Sequence, residues 1–334
     1  MSKIKHITII GDGGWGTALA IHLAQQGAHV KIWGPYAKYL AKMRQTRINK
    51  KFLPNLRIPD SVEFVEQLSI AVYSSDLVVF AVPSKYARDV LTHLKKTKTN
   101  FSKKIFLSVT KGVDTTKLQR ITEIIREQLG DVTVAVLSGP NIASEVAKKI
   151  PSSAVVASKN AKVAKMIQET FNTPTFRIYT NTDVIGVELG GSIKNIIAIA
   201  CGVCDGLGYG TNTKAALLTR GLAEMARLGK KLGGKLETFS GLSGLGDLVT
   251  TSFNLQSRNR SVGQKLGEGK TIKQITSKMD MVAEGVETAK AVYNLSKKYK
   301  IPMPITTEVY NIIYKNKKPQ QAVLDLMHRK TKSE

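Results

Sequence analysis

The segment that most restricts what this chain can fold into is Gly11-Asp12-Gly13-Gly14-Trp15-Gly16, because it joins an apolar run, His6 to Ile10, to a helical one, Thr17 to Gln26. Glycines at this G-x-G-x-x-G spacing, between a strand and a helix, have separate duties. Gly11 permits a tight turn, Gly13 lets the backbone approach a pyrophosphate, and Gly16 lets the helix pack closely on the strand. The helix N-terminus behind them offers free amides and partial positive charge to an anion. Together these features predict a dinucleotide-binding βαβ unit, with Gly27 stopping its helix.

The remainder of the first half alternates short apolar runs with longer amphipathic ones, the pattern of a parallel sheet covered by helices. Strands are expected at His29 to Trp33, Leu77 to Val82, Ile105 to Val109 and Val132 to Leu137, with weaker signals at Ala154 to Ala157 and Phe176 to Tyr179. From about Asn181 onward the pattern is helical, with glycine-rich interruptions at Cys201 to Gly210 and Phe239 to Gly246. The expected fold class is therefore α/β: a Rossmann-like, mostly parallel sheet with helices on both faces over residues 1–180, then an all-α domain over residues 181–334. A chain of 334 residues, 42% of them hydrophobic, is long enough for two cores.

Composition bears on the classes of partner. The net charge of +25, from 50 basic against 25 acidic residues, would suit nucleic acid through counterion release. The basic residues are dispersed, however, apart from Lys38 to Arg57 and Lys315 to Lys332, and aromatics that stack on bases make up only 6%. A basic surface around a site for anionic ligands, without a nucleic-acid partner, is the expectation. Cys201 and Cys204 form a CxxC, but no second CxxC or histidine pair completes a zinc site, and the motif ends an apolar helical run. Both read as core thiols. The five histidines, His6, His22, His29, His93 and His328, lack metal spacing, so no metal is expected. The apolar stretch Ile196 to Cys204 is shorter than the roughly 18 to 20 residues of a membrane span and reads as a core helix. The start MSKIKHITII has no charged-then-apolar leader, which predicts a cytoplasmic protein.

Turns at the carboxyl ends of parallel strands face the ligand crevice, so Val82-Pro83-Ser84, Thr110-Lys111-Gly112 and Ser138-Gly139-Pro140-Asn141 are expected to line one cleft. Lys111 is a candidate functional residue there, a solvated lysine being the ordinary alternative. In the helical half, Lys194 interrupts the run Glu188-Leu189-Gly190-Gly191-Ser192-Ile193-Lys194-Asn195-Ile196-Ile197. An unpaired charge inside an apolar helix is unfavourable. Burial lowers a lysine's pKa toward the range of a general acid/base, and Gly190, one turn earlier, would clear room for a ligand. A lysine snorkelling at a domain seam is the competing account. Asp247, in Gly241-Leu242-Ser243-Gly244-Leu245-Gly246-Asp247-Leu248, presents a carboxylate on a glycine-bent loop. Ser257-Arg258-Asn259-Arg260 reads as a helix start whose arginine, hydroxyl and amides suit a phosphate. An NAD-selective site usually carries Asp or Glu about 20 residues beyond the loop. Here no acidic residue stands between Asp12 and Asp60, so NADP is expected alongside NAD, with NADPH favoured.

The ordered set GDGGWGTALA, Thr110-Lys111-Gly112, SGPNIASEV, ELGGSIKN, Leu218-Thr219-Arg220-Gly221-Leu222-Ala223-Glu224-Met225, GLSGLGDL, NLQSRNR and VAEG resembles, over nearly the whole chain, the bacterial type of the NAD(P)-dependent glycerol-3-phosphate dehydrogenase family. The resemblance implies interconversion of sn-glycerol 3-phosphate and dihydroxyacetone phosphate, usually in the reducing direction with NADPH, to supply glycerol phosphate for phospholipid synthesis. It also implies a homodimer. In its light Lys194 looks like the catalytic acid/base, with Lys111 and Asp247 as partners in the site. Gly139 and Asn141 match substrate contacts, and Ser257, Arg258 and Asn259 match the phosphate grip. Cofactor contacts fall on Gly14, Trp15, Pro35, Lys111, Ala143, Arg258, Val282 and Glu284, beside Gly11, Gly13 and Gly16 of the loop. Asn141 stands where a hydroxyl residue is common, and Pro35 where a polar or basic residue is common near the adenosine ribose. The second departure weakens the NADP expectation. A β-hydroxyacid dehydrogenase also resembles this architecture, but its lysine is usually followed by an asparagine four residues later, whereas Asn195 adjoins Lys194. A non-enzymatic NADP-sensing or nucleic-acid-binding protein would leave Lys194 and Asp247 without a role.

Overall fold

The computed structural model describes residues 3–279, 282–331 and 333, so Met1 and Ser2 of the start and Lys332 of the basic tail lie outside the described residues. The chain divides into two compact units, Met1–Lys111 with Gln119–Glu188, and Gly112–Leu118 with Leu189–Glu334. The short segment after Lys111 thus belongs with the helical unit.

In the first unit the apolar runs become β1 (His6–Ile10), β2 (His29–Trp33), β6 (Leu77–Phe80), β7 (Ile105–Ser108), β8 (Thr133–Ser138), β9 (Ser152–Ala157) and β10 (Phe176–Asn181), interleaved with the short β3 (Ile48–Asn49), β4 (Leu53–Arg57) and β5 (Glu63–Phe64). Eight of them form one sheet in the order β10-β9-β8-β7-β6-β1-β2-β5. Neighbours run parallel except for the antiparallel pair of β8 and β9. Every residue of β6 is buried, as expected of a central strand covered on both faces. The β1 strand lies between β2 and β6, with Ile7 opposite both Val30 and Leu77. Successive connections therefore leave β1 toward opposite sides, and this switch opens a crevice at its carboxyl end, where the glycine loop begins.

β3 and β4 form a separate antiparallel hairpin that the sequence reading does not anticipate. β3 has two residues, and β4 carries Pro54 and an Asn55 at φ +64°, so neither shows an alternating pattern. The hairpin is nevertheless well anchored. Buried Asn49 donates through Nδ2 to the Asp12 carbonyl (2.8 Å) and to Thr17 Oγ1 (2.7 Å), and its Oδ1 accepts from the Tyr39 hydroxyl (2.6 Å) and the Phe52 amide (3.1 Å).

The second unit is helical beyond the short segment 112–118. Its long helix, Val184–Gly206, begins in the first unit and has the length and apolarity of a membrane-spanning segment, but 94% of its most apolar window is buried inside the protein, as in a core helix. Cys201 and Cys204 lie on it, both buried, and burial pushes their thiols up to about 11 and about 12. The expected glycine-rich interruption at Cys201 to Gly210 is helical through Gly206. The reason is packing: a Cβ on Gly202 would lie 2.0 Å from the Arg260 carbonyl oxygen, and one on Gly206 2.2 Å from that of Gln264. On the facing helix, Arg258–Gly267, a Cβ on Gly263 would lie 2.0 Å from the Ile199 carbonyl oxygen and one on Gly267 2.4 Å from that of Val203. These glycines let two backbones touch.

His22 lies buried in the helix Gly14–Ala24, with Nε2 donating to the Phe171 carbonyl (2.7 Å) and its ring edge-on to Phe176. Burial holds its pKa below the ordinary histidine value, with Lys149 and Lys3 adding repulsion of the charged form. The unfolded chain therefore binds the proton more readily than the folded one, so stability falls as pH drops through about 6.5. Thermal unfolding between pH 7.5 and 5.5 is expected to show this loss, and His22→Gln to flatten it by about 1.4 kcal/mol for each unit of pKa separation. An unchanged slope in the variant would remove His22 as its cause.

Candidate active site

Three of the four loop glycines, Gly11, Gly14 and Gly16, are explained by what surrounds them. Gly11 has φ +121°, donates its amide to the Trp33 carbonyl (2.8 Å), and would drive a Cβ to 2.5 Å from the Ala81 carbonyl oxygen. A Cβ on Gly16 would lie 2.2 Å from the Gly11 carbonyl oxygen and 3.2 Å from Ile9 Cγ2. These two positions are required by strand-to-helix packing. A Cβ on Gly14 would meet the Phe52 carbonyl oxygen at 2.7 Å, so the hairpin accounts for that glycine. Gly13 differs, since a Cβ there would meet nothing within 4 Å. Its bareness serves no contact within the protein. The following helix has no side-chain cap and no acidic residue in its first turn. An open cradle beside uncapped amides fits a pyrophosphate. Trp15 Nε1 is buried without a partner among the described residues, and Ala143 starts the helix Ala143–Ala147, which packs against the same core. Pro35 is exposed just after β2.

The strand-end turns meet in the same unit. Thr110 Oγ1 donates to the Val82 carbonyl (2.7 Å), and Lys111 Nζ donates to the Gly139 carbonyl (3.0 Å). Gly139 takes φ +142°, and a Cβ there would lie 3.0 Å from Ala154 Cα, so only glycine is relaxed at this turn. Asn141 Nδ2 donates to the Ser153 carbonyl (2.9 Å), while its Oδ1 is buried without a partner among the described residues. The amide that replaces the common hydroxyl thus keeps an acceptor in reserve.

In the helical unit Lys194 is 5% exposed and Asp247 2%. Lys194 Nζ reaches Asp247 Oδ1 (3.0 Å) and donates to Thr251 Oγ1, which in turn donates to Asp247 Oδ1 (3.2 Å). Asp247 is not on a loop: a π-helical turn, Leu242–Gly246, leads directly into the helix Asp247–Phe253, placing the carboxylate in its first turn. The space at Gly190 also has a different use from the one expected. A Cβ there would lie 2.8 Å from the Ser243 carbonyl oxygen, so Gly190 admits the π-turn rather than a ligand. Ser257 caps the helix Arg258–Gly267 by accepting from the Arg260 amide (3.3 Å). Exposed Arg258 donates to the Val282 carbonyl (2.6 Å), and Asn259 donates to Asn195 Oδ1 (2.9 Å) while accepting from the Gly285 amide (2.9 Å). Asn259 therefore ties the residue after Lys194 to the helix that starts at Glu284. Buried Arg260 pairs through Nε with Asp205 (2.7 Å), which also binds Lys214 (2.7 Å).

Residues 6–164 match the model of the NAD-dependent glycerol-3-phosphate dehydrogenase N-terminus, and residues 183–324 that of its C-terminus. The chain belongs to this glycerol-3-phosphate dehydrogenase family. It is 46% identical to the glycerol-3-phosphate dehydrogenase [NAD(P)+] of Chlorobium phaeobacteroides and 46% identical to that of Thermoanaerobacter sp., each alignment covering 98% of both chains. The crystal structure of the Coxiella burnetii glycerol-3-phosphate dehydrogenase superimposes with a TM-score of 0.93 at 40% identity, over 97% of this chain and 99% of that one.

Within this family member, sequence reasoning missed Thr251, which completes the lysine's surroundings, and Asn195 and Asn49, which act as ties. Thr251 stands four residues after Asp247 on one helix face, a spacing that could have flagged it. The loop glycines separate by experiment. Gly16→Ala is expected to lower stability by about 1–3 kcal/mol. Gly13, at φ −70° with open space around it, should accept alanine with a stability change within about 0.5 kcal/mol while losing NADH affinity. Denaturant unfolding together with NADH fluorescence titration reads both, and a Gly13→Ala protein with unaltered affinity would remove Gly13 from the cradle.

Proposed function

We propose that the protein reduces dihydroxyacetone phosphate to sn-glycerol 3-phosphate with NADH or NADPH, Lys194 acting as the general acid. The observation that carries this reading is the Lys194, Asp247 and Thr251 cluster: a nearly dry ammonium on a mostly apolar helix, held by a carboxylate and a hydroxyl of the neighbouring helix Asp247–Phe253. Such a group holds a transferable proton in fixed orientation.

The nicotinamide, when bound, supplies the hydride to C2 of the ketone. Lys194 gives its proton to the carbonyl oxygen as that oxygen gains negative charge, and Asp247 and Thr251 keep the ammonium aimed. Arg258, Ser257 and the start of the helix that Ser257 caps hold the substrate phosphate, as a guanidinium and a helix N-terminus together suit a dianion. Lys111 and Asn141 contact the substrate, and the glycine loop with Ala143, Val282 and Glu284 contacts the cofactor. A homodimer and a part in phospholipid synthesis complete the reading and rest on the family resemblance, and we propose a cytoplasmic location with them.

Oxidation of NADH or NADPH should therefore depend on dihydroxyacetone phosphate, and a protein inert toward this ketone with both cofactors would overturn the assignment. Lys194→Ala is expected to lower kcat by on the order of 100-fold or more with cofactor affinity retained. Near-normal turnover in that variant would take the lysine out of catalysis. Arg258→Ala should act mainly on KM for the phosphorylated substrate, and an unchanged KM would refute its grip on the phosphate.

A further inference from the structure

We infer that Asp12, inside the glycine loop, supplies the carboxylate that receives the adenosine ribose, and that this chain consequently prefers NAD(H) to NADP(H). The inference rests on the dinucleotide-dependent function proposed above and concerns which dinucleotide that function uses. Strand β2 runs into Gly34, Pro35 and Tyr36 with no acid before Asp60. The fold nevertheless places one there. A Cβ on Gly34 would lie 2.4 Å from Asp12 Cγ and 2.5 Å from Asp12 Oδ2, so the carboxyl group fills the volume that a side chain just after β2 would otherwise take. That is the position from which a dinucleotide-binding sheet normally addresses the ribose 2′-hydroxyl.

The carboxyl group is set to accept. Asp12 is 8% exposed, and its Oδ2 is buried with no hydrogen-bond partner among the described residues. A buried acceptor left unmade is unfavourable, and a hydroxyl donor relieves it. The Asp12 carbonyl is pinned by Asn49 Nδ2, so the hairpin holds the residue in place before any ligand arrives. Burial pushes the carboxyl up from its ordinary value, while its own backbone amide and the charge of Lys51 favour the ionised form. A ribose 2′-hydroxyl can donate to this carboxyl group, the residue being 8% exposed. A 2′-phosphate is anionic and would face this carboxylate at close range in a nearly dry setting. Lys51, whose ammonium lies 5.3 Å from the centre of the Phe52 ring, is the nearby cation that could reverse the preference.

The test is equilibrium binding of NADH and of NADPH, followed by cofactor fluorescence without substrate, to wild type, Asp12→Ala and Gly34→Ala. Wild type should bind NADH at least about tenfold more tightly than NADPH, as one hydrogen bond to a charged group allows. Asp12→Ala removes the carboxylate, and Gly34→Ala displaces it without removing it. Both should move the ratio toward NADPH by about tenfold. If Asp12→Ala fails to fold, the wild-type ratio and Gly34→Ala still decide. Equal wild-type affinities, tighter NADPH binding, or a ratio unmoved in Asp12→Ala would overturn the role of Asp12 while leaving the substrate assignment standing. Selective NADH binding without turnover of dihydroxyacetone phosphate would instead support Asp12 and overturn the substrate assignment.

Discussion

An ammonium group buried on an apolar helix is the constraint around which the helical unit is arranged. Lys194 cannot be neutralised by water at 5% exposure, so a carboxylate must be brought to it, and Asp247 lies 3.0 Å away. Breaking a buried pair by removing one partner costs about 3–5 kcal/mol, because the other charge is left uncompensated. Several local features follow from that requirement. The π-turn Leu242–Gly246 delivers Asp247 into the first turn of its helix, Gly190 lacks a side chain so that the turn can approach, and Thr251 satisfies both charged partners at once. A packed hydrocarbon would stabilise the helix at least as well, so retention of a charge here makes sense as chemistry rather than as stabilisation.

The second constraint is the contact of two helix backbones. Gly202 and Gly206 on one helix and Gly263 and Gly267 on the other allow carbonyl groups to sit where side chains would be. Dispersion between backbones falls away within about an ångström of added separation, so the crossing admits little sliding. The consequence is functional because the helix bearing Lys194 and the helix that begins at Arg258 are held in one register. The Asn195–Asn259–Gly285 chain of hydrogen bonds fixes the same relation a second time, beside Lys194. In the proposed roles of Lys194 and Arg258, groups for a proton and for a phosphate on one small substrate need such fixed spacing, since an error of about 1 Å costs about 100-fold in rate.

Much of this was legible in the sequence. Strands buried on both faces, such as β6, announce themselves as unbroken apolar runs, and the glycine loop announces itself by its place between strand and helix. The lysine stood out because charge is rare on such a helix. What was not legible depended on partners distant in sequence. Asn49 looks like any polar residue until the loop carbonyl of Asp12 and the Thr17 hydroxyl are placed beside it. Gly202 and Gly206 read as helix breakers because local propensity penalises glycine, whereas interhelical contact outweighs that penalty of about 1 kcal/mol. Gly190 was assigned to a ligand for a related reason: an absent side chain shows that space is needed, without showing what occupies it.

The same exchange of space accounts for the carboxylate beside β2. Counting about 20 residues beyond a glycine loop assumes that the side chain in a given volume belongs to the backbone nearest to it. At Gly34 it does not. The volume belongs to Asp12, a residue within the loop itself, and the two positions are matched, because any side chain on Gly34 would collide with Asp12 Cγ. A search along the sequence finds neither half of this pair informative, since one is a variable position of the motif and the other a glycine after a strand. Geometry joins them, and Asn49 holds the Asp12 backbone in place beside Gly34's strand end. Gly13 leaves room for a pyrophosphate, and the residue between it and Gly11 puts a carboxylate in reach of the ribose.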